Sequence, residues 1–173
     1  MRAVKLSIVC AGHENSEDQL TRVLIIGYGN PLRHDDAIGW RAAEELARWL
    51  PVDDVDVLIR YQLTPELADV VSESNAVIFI DAGDAGEPGD LTCERIEPER
   101  ERGGFTHECS PGTVLEYCEK IYSRRPRGFQ VTLCGEDFDY GEGLSPKVEA
   151  SLPHLTALVG HLVKSESSRP NAA

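Results

Sequence analysis

Long apolar runs are missing: no window approaches 18 consecutive apolar residues, so no membrane-spanning helix is expected. Positive charge is scarce, with 17 Lys+Arg against 30 Asp+Glu and a net charge of −13. The one basic run, Arg124-Arg125-Pro126-Arg127, is too short to act as a nucleic-acid footprint. Cysteines number five, an odd count with no C-x-x-C spacing, in a chain too long to need a disulfide framework. They are read as thiols, mostly buried and inert, in a reducing, cytoplasmic compartment. Internal repeats and low-complexity linkers are absent as well. What is present, 41% apolar and 27% charged residues in a chain of 173, is the make-up of a globular protein with one domain and a real core.

The first residues, MRAVKLSIVCAG, faintly imitate a signal peptide, but the apolar stretch is very short and no convincing cleavage site follows. Residues 1–21 are therefore read as a flexible leader, 22–164 as a single α/β domain, and 165–173 as a disordered tail without apolar periodicity.

Val23-Leu24-Ile25-Ile26 is an apolar run closed by Gly27, Gly29 and Pro31, as in a strand buried on both faces. Ala37–Leu50 follows as an amphipathic helix, with Ile38, Ala42, Leu46, Trp49 and Leu50 on one face, and Pro51 ends it. Val55–Tyr61 is a second strand. Pro65–Ser72 reads as a short helix capped by Thr64, with Pro65 in the first helical position. Ala76–Ile80 is the second wholly apolar run and ends at Asp81-Ala82-Gly83. Strands at Leu91–Ile96 and Phe129–Cys134, helices at Thr113–Ser123 and from Ser145-Pro146 onward, and a charged loop over Glu97–Gly104 complete the pattern. Apolar strands alternating with amphipathic helices predict a three-layer α/β sandwich, a mostly parallel twisted sheet with helices on both faces. In such folds the reactive loops gather beyond the carboxyl ends of the strands. That singles out the turn from Gly27 to Asp36, the strand end at Asp81, and the segment Thr106–Pro111.

The turn Gly27-Tyr28-Gly29-Asn30-Pro31-Leu32-Arg33-His34-Asp35-Asp36 invites comparison with a dinucleotide fingerprint, but the position of the third glycine is Leu32. Two carboxylates also stand where a phosphate would have to come. Asp35 suits a helix N-cap; Asp36 is then left as a surface acid or a ligand. Asp81 is equally a solvated turn residue, and His107 a plain loop histidine. Taken together, Asp36, Asp81 and His107 would gather two carboxylates and an imidazole on one sheet edge, a set suited to a borderline divalent metal such as nickel or zinc with positions left open. A thiol dyad of Cys109 with His107 is disfavoured, because side chains two apart in an extended segment lie ~7 Å apart. No G-x-S-x-G elbow and no D-T-G pair supports other peptidase classes.

The segment Val23–Gly39, with Gly27-x-Gly29-Asn30-x-Leu32-x-x-Asp35-Asp36-x-x-Gly39, closely resembles the signature of the hydrogenase maturation endopeptidases. Gln62-Leu63-Thr64-Pro65-Glu66-Leu67, Asp81-Ala82, Thr106-His107 and Gly143-Leu144-Ser145-Pro146 resemble further segments of that family, in family order. The resemblance spans about Arg22 to Val163. It implies an endopeptidase that removes the C-terminal extension from a nickel–iron hydrogenase large-subunit precursor once nickel has been inserted. It also implies Asp36, Asp81 and His107 as the metal-binding and catalytic residues, with the nickel supplied by the precursor. Around them, Asn30 is expected to shape the turn and Gln62 and Glu66 to line the peptide groove, while Gly39 permits close helix–sheet packing. The long leader and Cys109 depart from the family pattern. Competing readings are a chaperone that binds the metallated partner without cutting it, a nucleotide-binding protein, and a plain metallopeptidase acting on free peptides.

Overall fold

The computed structural model describes residues 22–50, 55–99 and 109–169. The expected leader at 1–21, the segment 100–108 with His107, and residues 170–173 lie outside the described residues. Five strands form one sheet in the order β2-β1-β3-β5-β4. β1 is Val23–Tyr28, β2 Val55–Arg60, β3 Ala76–Gly83, β4 Leu91–Ile96 and β5 Arg127–Cys134. β1 pairs in parallel with β2 and β3, β3 pairs in parallel with β5, and only β4 runs antiparallel, along the outer edge of β5. The α/β class read from the sequence, a mostly parallel sheet between helices, is thus the observed fold.

The alternation of side chains along β1 and β3 builds the two layers on either side. Val23 and Ile25 of β1, with Ile78 and Ile80 of β3, face α1 (Ile38–Trp49) and α4 (Pro146–Ser167), where Ile38, Leu46, Leu155 and Val159 are fully buried. Leu24 and Ile26, with Val77 and Phe79, face α2 (Leu67–Ser72) and α3 (Pro111–Tyr122) through Leu67, Val71, Val114 and Leu115. Burial on both faces is why Val23–Ile26 of β1 and Ala76–Ile80 of β3 are apolar at every position. No helix among the described residues is long and apolar enough to cross a membrane.

Several boundaries differ from expectation. β3 continues past Ile80 to Gly83, because its neighbour β5 keeps pairing through Asp81↔Thr132, Ala82↔Leu133 and Gly83↔Cys134. Asp81 is therefore inside a strand and not in a turn. α2 begins at Leu67, two residues after Pro65; the amides of Leu67 and Ala68 bond the carbonyls of Thr64 and Pro65 in tight turns, and no side chain caps the helix. α3 starts earlier than expected, at Pro111 behind an N-cap at Ser110, whose hydroxyl accepts from the Thr113 amide. α4 runs on to Ser167, so Ser165–Ser167, expected in the tail, are helical. Glu166 is 1% exposed and bonded to Arg127 Nε at 2.5 Å.

α1 approaches the sheet through a pair of glycines. A Cβ on Gly39 would sit 2.2 Å from the Tyr28 carbonyl oxygen and 2.5 Å from that of Ile80, and one on Gly27 would sit 2.0 Å from the Gly39 carbonyl oxygen. The expected packing role of Gly39 is what the geometry displays.

Candidate functional site

The strand order reverses at β1: the chain leaves β1 for β2 on one side and returns to β3 on the other. In open α/β sheets the loops diverge at such a point and leave a crevice at the carboxyl ends of the strands. Asp36 follows β1 and Asp81 lies near the end of β3, so both carboxylates flank this crevice.

Asp36 sits in a 3-10 turn, His34–Ala37, that leads directly into α1. Its Oδ2 accepts from the Asn30 amide at 3.0 Å, while Asn30 Oδ1 accepts from the Leu32 amide at 3.0 Å. Gly29 makes this reversal possible: its φ is +134°, and a Cβ there would stand 2.0 Å from the Asp36 carbonyl oxygen. Asn30 thus shapes the turn around Asp36 through both its backbone and its side chain.

Asp81 is half-buried, with Oδ1 accepting from the Ala82 amide at 2.8 Å. One step beyond the last registered pair of β1 and β3, Gly27↔Ile80, Tyr28 stands beside it, and its hydroxyl favours the ionised Asp81 carboxylate. Burial pushes the Asp81 carboxyl up to about 6; Tyr28 and the Ala82 amide pull it down, and the charge of Asp36 pushes it further up. The Tyr28 phenol is itself raised, by burial first and then by Asp81. Asp81 is thus a desolvated acid facing a second carboxylate, that of Asp36. Among the described residues no group of three His, Cys, Asp or Glu side chains could hold a metal ion. Of the three expected ligands, Asp36 and Asp81 are among the described residues and His107 lies outside them.

Asp35 is not the helix cap expected from its position. It is 0% exposed, no side chain caps either the 3-10 turn or α1, and its carboxylate bonds Ser145 and the amides of Glu136 and Asp137. Burial opposes its charge, but the Ser145 hydroxyl and the Glu136, Ser145 and Asp137 amides outweigh this and hold the carboxyl below its usual range.

The expected groove residues Gln62 and Glu66 are exposed on the segment joining β2 to α2. The Glu66 carboxyl is held low by its own amide and by the Thr64 hydroxyl. Cys109 stands near Glu66 and Glu99 and packs against the apolar cluster under α2 and α3. Burial, then Glu66, then Glu99 push its thiol up, the reverse of what a nucleophilic cysteine needs. Of the other described cysteines, Cys118 and Cys134 are buried, Cys118 being pushed up to about 12 by burial, whereas Cys93 is exposed.

Fold and site together define a doubly wound α/β protein with an acidic crevice at its switch point. Solved structures of hydrogenase maturation proteases share this form. The hydrogenase maturating endopeptidase HybD from E. coli matches with a TM-score of 0.71 and 25% identity, over 83% of this chain and 93% of its own. A hydrogenase 2 maturation peptidase from a Thaumarchaeota archaeon matches with a TM-score of 0.65 and 26% identity, over 83% and 98%. The NiFe hydrogenase maturation protease HycI from Thermococcus kodakarensis KOD1 shares the fold at 23% identity and a TM-score of 0.68, over 83% and 93%. No protein-family profile and no curated protein matches the chain. The resemblance read in the sequence is borne out as a structural match across most of its length.

Proposed function

We propose that this protein is an endopeptidase that trims the C-terminal extension of a nickel–iron hydrogenase large-subunit precursor, recognising nickel already held by that precursor. The observation that carries this reading is the pairing of Asp36 and Asp81 at the switch-point crevice, where Asp81 is desolvated and faces a second negative charge. A cation brought by the substrate relieves both penalties at once. His107 is the third donor in this proposal. In support, Cys109, two residues further on, packs against the cluster that also takes in Tyr28 and stands near Glu66. Two carboxylates and an imidazole suit nickel and leave room for ligands from the substrate.

On this reading the substrate's nickel fixes the register of its C-terminal segment, and an unmetallated precursor lacks that anchor. Gln62 and Glu66 line the path of the peptide. Polarisation of the amide or of a water by the metal, or base catalysis by a carboxylate, then serves hydrolysis. The protein acts as a cytoplasmic hydrolase whose single α/β domain runs from residue 22 through the end of α4 at Ser167.

Intact-mass spectrometry of the precursor, loaded with nickel or not and incubated with this protein, tests the proposal. The expected result is loss of a short C-terminal peptide from the nickel-loaded form alone, abolished by Asp36→Ala, Asp81→Ala or His107→Ala. Binding without cleavage would favour a chaperone, and cleavage of the unmetallated C-terminal peptide a general metallopeptidase.

A further inference from the structure

Asp35 and Asp36 are neighbours in one turn with opposite surroundings. Asp36 is half-exposed and its carboxylate is held by the Asn30 amide. Asp35 is wholly buried, and all of its side-chain donors come from the loop between β5 and α4. Oδ1 accepts from the Ser145 amide at 2.7 Å; Oδ2 accepts from the Ser145 hydroxyl at 2.6 Å and from the amides of Glu136 and Asp137 at 2.8 and 3.0 Å.

The backbone reinforces the same junction. The Asp35 amide donates to the Asp137 carbonyl at 3.0 Å, His34 to Gly141 at 3.0 Å, and Gly141 back to Leu32 at 2.9 Å. Arg33 Nε donates to the Phe138 carbonyl at 3.0 Å. A buried carboxylate is tolerable only when its lone pairs are filled, and here one loop fills them. A helix cap would need none of this.

With its amide and its carboxylate both held by the loop, Asp35 anchors the turn from which Asp36 departs. The Asp36 amide in turn donates to the Arg33 carbonyl at 2.9 Å. We infer that Asp35 is a positioning residue: by tying the β5–α4 loop to the β1–α1 turn, it sets the direction in which the Asp36 carboxylate enters the crevice. That Asp36 meets a substrate metal rests on the function proposed above; that Asp35 orients Asp36 does not.

Amide hydrogen exchange at Asn30 reports this directly, because the acceptor of that amide is Asp36 itself. The comparison is between wild type, Asp35→Asn, Ser145→Ala, and Val163→Ala, which lowers stability from a buried position near the far end of α4. We expect Asp35→Asn to speed Asn30 exchange by about ten-fold or more and Ser145→Ala by a smaller factor, with Val163→Ala leaving it near wild type. Cleavage of nickel-loaded precursor should fall in the same order. Unchanged Asn30 exchange in a folded Asp35→Asn protein, or equal acceleration in Val163→Ala, would overturn the inference. Should Asp35→Asn not fold, Ser145→Ala decides by the same criterion. Accelerated exchange in the variants, alongside a wild type that cuts no nickel-loaded precursor, would support the positioning role and remove the proposed function.

Discussion

Tyr28 and Asp81 stand side by side toward the carboxyl ends of the two central strands, and the Tyr28 hydroxyl favours the ionised Asp81 carboxylate. This interaction acts on an acid whose carboxyl, even so, is pushed up to about 6, by burial above all. Tyr28→Phe removes it and lets the Asp81 carboxyl rise. Cleavage, which in this account needs ionised Asp81, then loses its acid limb at a pH higher by roughly one unit while the plateau above pH 8 is kept. A pH–rate profile of the two proteins checks this; coincident acid limbs would separate Tyr28 from the chemistry.

Asp81 should also cost stability. Its carboxyl titrates near 3.8 when unperturbed and about 6 in the fold. Between those values the folded protein holds a proton that the unfolded chain has lost, so stability falls as pH rises and the loss is complete above about pH 6. Asp81→Asn keeps an acceptor for Tyr28 and for the Ala82 amide but has no charge to desolvate. Discounted for the partial exposure of the group, the variant gains about 1–2 kcal/mol at pH 8 and nothing near pH 3. Urea midpoints at the two pH values measure it. The same variant should be inactive, a site residue that stabilises when disarmed.

Gly39→Ala drives a methyl group into the carbonyl oxygens of Tyr28 and Ile80, neither of which can turn away without breaking β1 or β3. The expected loss is about 2–3 kcal/mol, seen as a lower thermal midpoint. A variant of wild-type stability would show that α1 can ride away from the sheet at no cost.

Glu99 and Ser110 stand at the two ends of the segment 100–108. The Ser110 hydroxyl donates to Glu99 Oε2 at 2.7 Å, Thr113 Oγ1 donates to the same oxygen at 3.2 Å, and the Glu99 amide donates to the Gly112 carbonyl at 3.1 Å. Ser110→Ala removes both the cap of α3 and the clasp to Glu99, and should cost about 1–2 kcal/mol in denaturant unfolding.

Cys109→Ala should leave precursor cleavage near the wild-type rate, because its thiol is raised by burial and by Glu66 and Glu99. Loss of cleavage in a folded Cys109→Ala protein would reinstate thiol chemistry.

The sequence was most readable where local pattern and tertiary role agree. β1 and β3 are buried on both faces and announce it with unbroken apolar runs, and the stripe from Val148 to Val163 of α4 is a helical face packed on the sheet. It was least readable where the partner is remote. The end of β3 is set by how far β5 continues to pair, which no feature of Asp81-Ala82-Gly83 encodes. Asp35 resembles a cap by position, yet its donors lie 101 to 110 residues away. The hint was the excess itself, two adjacent acids where one cap suffices. Tyr28 went unremarked, although its parity along β1 matches that of Asp81 along β3 and puts both side chains on the α2/α3 face. Asp36 and Asp81 could be picked out because each follows an apolar strand toward the carboxyl edge.

On the function proposed above, Asp36 and Asp81 jointly meet a metal ion carried by the substrate. The most direct test is the affinity of catalytically arrested protein, carrying His107→Ala, for nickel-loaded and nickel-free large-subunit precursor, with and without further Asp36→Ala or Asp81→Ala changes. Binding of the nickel-loaded form is expected to be tighter by about ten-fold or more, a preference that either further change erases. Equal affinity for both forms, or a nickel preference that survives loss of both aspartates, would contradict it.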